Sequence, residues 1–139
     1  MADYKPLIEA ARKSLESVHP KQPKDLCYGA AVLTSKGKIY SACNYFSYTS
    51  TLTLHAEQAA LAHAAAHGEP DVKAISCIST EGSKEKLCHP CGICKQLIWE
   101  NSYDSGIDVE VVMAARNGEF SVEKISRLCP KPWPVKQQA

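Results

Sequence analysis

Two short stretches carry metal-competent side chains at ligand spacing: "HAE", His55 to Glu57, and "PCGIC", Pro90 to Cys94. Cys91 and Cys94 straddle one turn at the predicted start of a helix, so both sulfurs can face one ion. The helix N-terminus favours their thiolate forms. His55 opens an earlier predicted helix and becomes the third ligand if both helix N-termini meet at one end of a sheet. A structural zinc site closes around four ligands, whereas three protein ligands leave the fourth position to water, as hydrolysis requires. Glu57 then stands beside the ion without ligating it, placed to carry protons as the catalytic residue. The expected cofactor is Zn²⁺, held by His55, Cys91 and Cys94.

Other readings compete for these residues. "CGIC" alone could be a redox dithiol, but that leaves His55 and Glu57 unexplained. Cys88 or His89 could supply a fourth ligand and close the ion to water, leaving Glu57 an uncompensated acid. His63 and His67 lie too far along their helix to share the ion and are read as solvated or packed side chains. His19, beside Pro20 in a loop, needs no role. Cys27, Cys43 and Cys77 sit in apolar runs and read as small buried hydrophobes.

The elements that must position these groups follow from the pattern. Leu7, Ile8, Ala11, Leu15 and Val18 recur at helical spacing before two prolines break the run. Residues 26–33 and 38–43 flank "TSKG" and form a predicted hairpin turning at Gly37. Thr53 is placed to cap an alanine-rich helix from about His55 to Gly68. "VKAISCIST" reads as a strand buried on both sides. The next helix is predicted from about Cys91 to Glu100, with Ile93, Leu97 and Ile98 on one side. A second hairpin, "IDVEVVMAA" returning through Asn117-Gly118 to residues 120–122, precedes a closing helix near 123–128. This order predicts a three-layer α/β/α sandwich around a five-stranded mixed sheet, as one domain over residues 1–139.

The totals set limits on partners. Sixteen Lys and Arg against fifteen Asp and Glu leave a net charge of +1 over 139 residues, so no strong field points to nucleic acid, a membrane or acidic partners. No apolar run approaches the roughly 18 residues of a membrane span, and the N-terminus lacks a secretory pattern. Seven cysteines, an odd number, argue for thiol or metal chemistry over a disulfide framework. The expectation is a cytoplasmic protein with a small-molecule substrate.

His-x-Glu paired with Pro-Cys-x-x-Cys is the signature of zinc deaminases, and nearly the whole chain resembles the cytidine deaminase family. "GAAVLTSKGKIYSACN", "HAEQAA", "PCGICKQLIWE" and "SVEKISRLCP" each resemble a family segment in order. The resemblance implies an aminopyrimidine substrate, a homotetramer of the small nucleoside branch, the Ala56 amide on the ring carbonyl oxygen, and Asn44 on a polar substituent. It also implies Trp133 covering a pocket or an interface. Three departures from the family matter, the third being His55 with Gln58 where small members carry a third Cys and an Arg, which leaves two thiolates and an imidazole to neutralise Zn²⁺ without an Arg. Phe46 stands where the ribose-binding Glu of Asn-x-Glu belongs, and Leu26 where a pocket phenylalanine belongs, so the sugar side is expected to be apolar. Phe46 would pack on the far end of the substrate, or serve as a core or interface aromatic. An aromatic at that position also resembles the blasticidin S deaminases. A cytosine-type ring carrying something other than ordinary ribose fits these changes. The alternatives are an ordinary cytidine or deoxycytidine deaminase and a non-catalytic zinc-binding module.

Overall fold

A computed structural model describes residues 3–136. Helix α1 (Lys5–Ser14) leads through a 3₁₀ turn to strand β1 (Tyr28–Thr34), which turns back as β2 (Ile39–Cys43). Helix α2 (Ala56–Ala66), strand β3 (Val72–Ser79), helix α3 (Gly92–Ser105), strands β4 (Glu110–Ala114) and β5 (Phe120–Lys124) and the short helix α4 (Ile125–Leu128) complete the chain. The strands form one sheet in the order β2-β1-β3-β4-β5. Only β3 and β4 pair parallel; the other pairs are antiparallel. This is the expected mixed five-stranded sheet. The parallel crossover through α3 is what brings that helix over the sheet beside α2.

Strand alternation divides the core into two layers. Ala30, Val32, Ile75, Val111 and Met113 face α2, α3 and α4, whereas Ala31, Ala74, Ile78, Val112 and Ala114 face α1. Alanines at 30 and 31 of β1 and at 56, 60 and 64 of α2 let both helix layers approach the sheet closely. The approach is tightest at Gly29, where a Cβ would overlap the Ala11 carbonyl oxygen and crowd Ser14 Oγ. Gly37, with φ of 88°, makes the β1–β2 turn as expected.

Several expected details change. Thr53 does not cap α2: its Oγ1 accepts the Ser47 N–H at 3.1 Å, and His55 is the N-cap. Helix α3 runs to Ser105 and ends at Gly106, whose φ of 77° supplies the left-handed cap. The polar run 100–105 belongs to its outer turns and so hides the continuation. Ile93, Leu97 and Ile98 do not share a buried side, because Ile98 is in the core while Ile93 is 61% exposed. Helix α4 begins at Ile125, since β5 extends through Lys124. The Trp133 ring is 74% exposed. Its carbonyl accepts from Gln96 Nε2, and the Trp99 indole donates to the Pro134 carbonyl, tying the tail along α3. Among the described residues no helix is long and apolar enough to cross a membrane.

Candidate metal centre and cavity

Helices α2 and α3 start at the same end of the sheet, with His55 and Cys91 as their N-caps. Both N-caps are extended (ψ of 151° and 174°), which turns their side chains back across the helix ends. The Gln58 carboxamide oxygen accepts the His55 backbone N–H at 2.8 Å and holds that cap. Cys94, one turn into α3, is fully buried.

The three donors converge. His55 Nδ1 lies 3.3 Å from Cys91 Sγ and 3.3 Å from Cys94 Sγ, and all three atoms fall within 4.8 Å of one another. Tetrahedral zinc with Zn–N about 2.0 Å and Zn–S about 2.3 Å separates N from S by about 3.5 Å. The donor set therefore matches zinc in both softness and spacing. Among the described residues this is the only group of three such side chains placed to share an ion. Cys88 and His89 line the adjoining cavity outside the cluster, so neither closes it.

Electrostatics point the same way. Glu57, in the first turn of α2, is 6% exposed. Burial pushes its carboxyl up, partly offset by hydrogen bonds from its own backbone and from Cys94. Burial, then the charge of Glu57, pushes the Cys94 thiol far up as well. A buried carboxyl and a buried thiol in one low-dielectric corner disfavour each other's charged forms, and a divalent cation held beside them would relieve that conflict.

The centre opens onto a cavity of about 660 Å³. Leu26, Asn44, Phe46, His55, Glu57 and Cys91 all line it, so most of the residues picked from sequence meet there. Ala56 does not line it; the side chain is fully buried at the first position of α2, where a backbone N–H has no partner within the helix. Asn44 Oδ1 accepts the Tyr28 N–H at 3.0 Å, which leaves Nδ2 buried without a partner. Phe46 stacks on His19, centroids 5.0 Å apart and planes 10° off parallel, and meets Tyr48 edge-on. His19 thus has a packing role that its loop position did not suggest. His63 and His67 pack on Tyr40, away from the metal centre.

Beside Leu26 and Phe46, the cavity also receives polar groups from Tyr28, Glu81, Gln22 and Thr53. Sequence reasoning missed Tyr28 and Glu81 because they are 53 residues apart and no spacing rule joins them; the Tyr28 hydroxyl donates to Glu81 Oε2 at 2.8 Å. Their only common signal is that each sits at an end of neighbouring strands.

The profile of the "cytidine and deoxycytidylate deaminase zinc-binding region" matches residues 1–113. A blasticidin-S deaminase of Bacillus cereus is 27% identical over 129 residues, covering 89% of this chain and 87% of that protein. A cytidine deaminase of Sporosarcina psychrophila is 30% identical over 129 residues, covering 92% and 89%. Among solved structures, the cytidine deaminase from Burkholderia pseudomallei superposes with a TM-score of 0.81 at 28% identity, covering 95% of this chain and all of that one.

Proposed function

The chain belongs to the cytidine and deoxycytidylate deaminase family and is a zinc-dependent hydrolytic deaminase of cytosine-type substrates; from that premise we propose that Glu57 is its proton carrier, His55, Cys91 and Cys94 are its ligands, and its substrate is a cytosine nucleoside analogue. The supporting observation is the convergence of the three donors beside a buried carboxylate, at the floor of a cavity large enough for a nucleoside.

Bound zinc supplies Lewis acidity, which brings the ionisation of a water molecule toward neutral pH. Glu57 takes the proton that this water gives up as its oxygen attacks the amino-bearing ring carbon. The same carboxyl gives that proton to the ring nitrogen, takes the second proton from the hydroxyl now on the ring carbon and passes it to the amine, so the C–N bond breaks, the oxygen stays as the ring carbonyl and ammonia leaves. The burial that raises the Glu57 carboxyl suits it to both acceptance and return. The free Ala56 N–H at the start of α2 holds the ring carbonyl oxygen, and Asn44 Nδ2 donates to a substituent beyond the ring.

Phe46 and Leu26 favour a substituent other than ordinary ribose, because neither offers an acceptor to a sugar hydroxyl. The working assembly is a homotetramer, and its place is the cytoplasm. A panel of aminopyrimidines, aminopurines and their nucleosides, assayed for ammonia release alongside zinc content, tests the reading. Ammonia from at least one cytosine derivative is expected; zinc bound with no turnover of any member would favour a purely structural site.

A further inference from the structure

The cavity has a second carboxylate that proton transfer does not use. Glu81 lies just beyond β3, and its backbone N–H donates to Ser79 Oγ at 2.8 Å. Its Oε2 accepts the Tyr28 hydroxyl, and that bond, with Lys86 second, holds the carboxyl below the usual range. Tyr28 also occupies Asn44 Oδ1 through its backbone N–H. One tyrosine therefore positions both an acceptor, Glu81, and an unpartnered donor, Asn44 Nδ2, on the same cavity.

The formal charges on the cavity wall are of one sign. Glu57 and Glu81 line it, and among the described residues no Lys or Arg does. Lys86 reaches Glu81 Oε1 at 3.2 Å, but it lines the neighbouring cavity, and both side chains are about half exposed, which makes their pairing weak and exchangeable. Phe46 and Tyr48 add aromatic surface to the same wall.

We infer that Glu81 is a specificity-determining residue, selecting substrates whose group beyond the ring is cationic, accepting neutral ones less well and rejecting phosphorylated ones. The inference rests on the deaminase reading for its ring orientation but concerns the other end of the ligand. A phosphate brought to this end of the cavity meets the Glu81 carboxylate with no Lys or Arg on the wall, whereas an ammonium meets a carboxylate already oriented by Tyr28. A single charge contact in a partly solvated mouth is worth about tenfold in affinity in either direction.

The test uses three probes on the zinc-loaded protein: 5′-amino-5′-deoxycytidine, cytidine and cytidine 5′-phosphate. Calorimetric Kd and kcat/KM are measured for each. Binding is expected to weaken in that order. Glu81→Gln, which keeps an acceptor for Tyr28, should cut the ratio of amine to phosphate affinity at least tenfold, with cytidine changing less. Lys86→Gln should shift the ratio the opposite way, and about 0.5 M salt should shrink it in the unaltered protein. A merely structural Glu81 would move all three probes together. An unchanged ratio in Glu81→Gln, with ammonia still released, overturns the inference and spares the deaminase reading. The expected binding order without ammonia from any probe upholds Glu81 and overturns the deaminase reading.

Discussion

Each metal-centre residue does one job. Cys94 is a fully buried thiol between two acidic neighbours, so its removal takes away a ligand that no nearby side chain replaces. Cys94→Ala should reduce elemental zinc from about one per chain to near zero; retention would mean that another group binds the ion. Glu57→Ala should keep zinc yet lose several orders of magnitude in kcat, because one carboxyl serves more than one proton transfer. A near-normal rate would remove Glu57 from the reaction. At Phe46, leaving a buried sugar hydroxyl without an acceptor costs about 1–3 kcal/mol, so cytidine should be a poor substrate. Phe46→Glu should raise kcat/KM for cytidine about tenfold or more. Unaltered protein with kcat/KM for cytidine near about 10⁶ M⁻¹s⁻¹ would show that the ribose is already held.

At the scale of elements, close packing of α1 and a buried carboxylate hold the sheet in the form that the site needs. Gly29 lets α1 seat on β1, and Gly29→Ala should cost about 1–3 kcal/mol in chemical denaturation, through overpacking against backbone that cannot yield. Glu69 ties β1 to β2: Tyr40 and Thr34 hydroxyls donate to it at 2.7 and 2.8 Å and hold its carboxyl below the usual range, Tyr40 first. A depressed folded-state pKa stabilises above the unfolded value of about 4.3 and is lost as pH falls through the folded value. Glu69→Gln should therefore lower Tm at pH 7 and flatten the loss of Tm below about pH 4. Equal acid sensitivity in both proteins would assign that loss to other carboxyls.

For the whole molecule, the exposed apolar residues ask for a partner. Ile93 and Leu97 project from α3, and Tyr45, Leu52 and Leu54 are exposed near the cavity. In the single chain these side chains are open to solvent, where an assembly would cover them. Light scattering should give four times the 15.2 kDa chain, and Ile93→Asp should dissociate it. A monomer at micromolar concentration would count against the tetramer and leave this surface to another partner.

The element order and the gathering of His55, Cys91 and Cys94 beside Glu57 were legible in the residues themselves. Helix caps, strand alternation and metal-ligand spacing are local rules, and "HAE" and "PCGIC" carry their chemistry within five residues. Even the burial of β3 on both faces, Lys73 excepted, could be read from its near-continuous apolar character. The length of α3 could not, because its last turns are polar and only the Gly106 cap ends it. The opposite wall of the cavity was likewise hidden. His19 with Phe46, and Tyr28 with Asn44 and Glu81, meet only because the β1–β2 hairpin and the ends of β1 and β3 are brought side by side. Contacts between distant residues follow from sheet register and loop path, which no local pattern encodes, and that is why tertiary structure alone decided what the far end of the substrate meets.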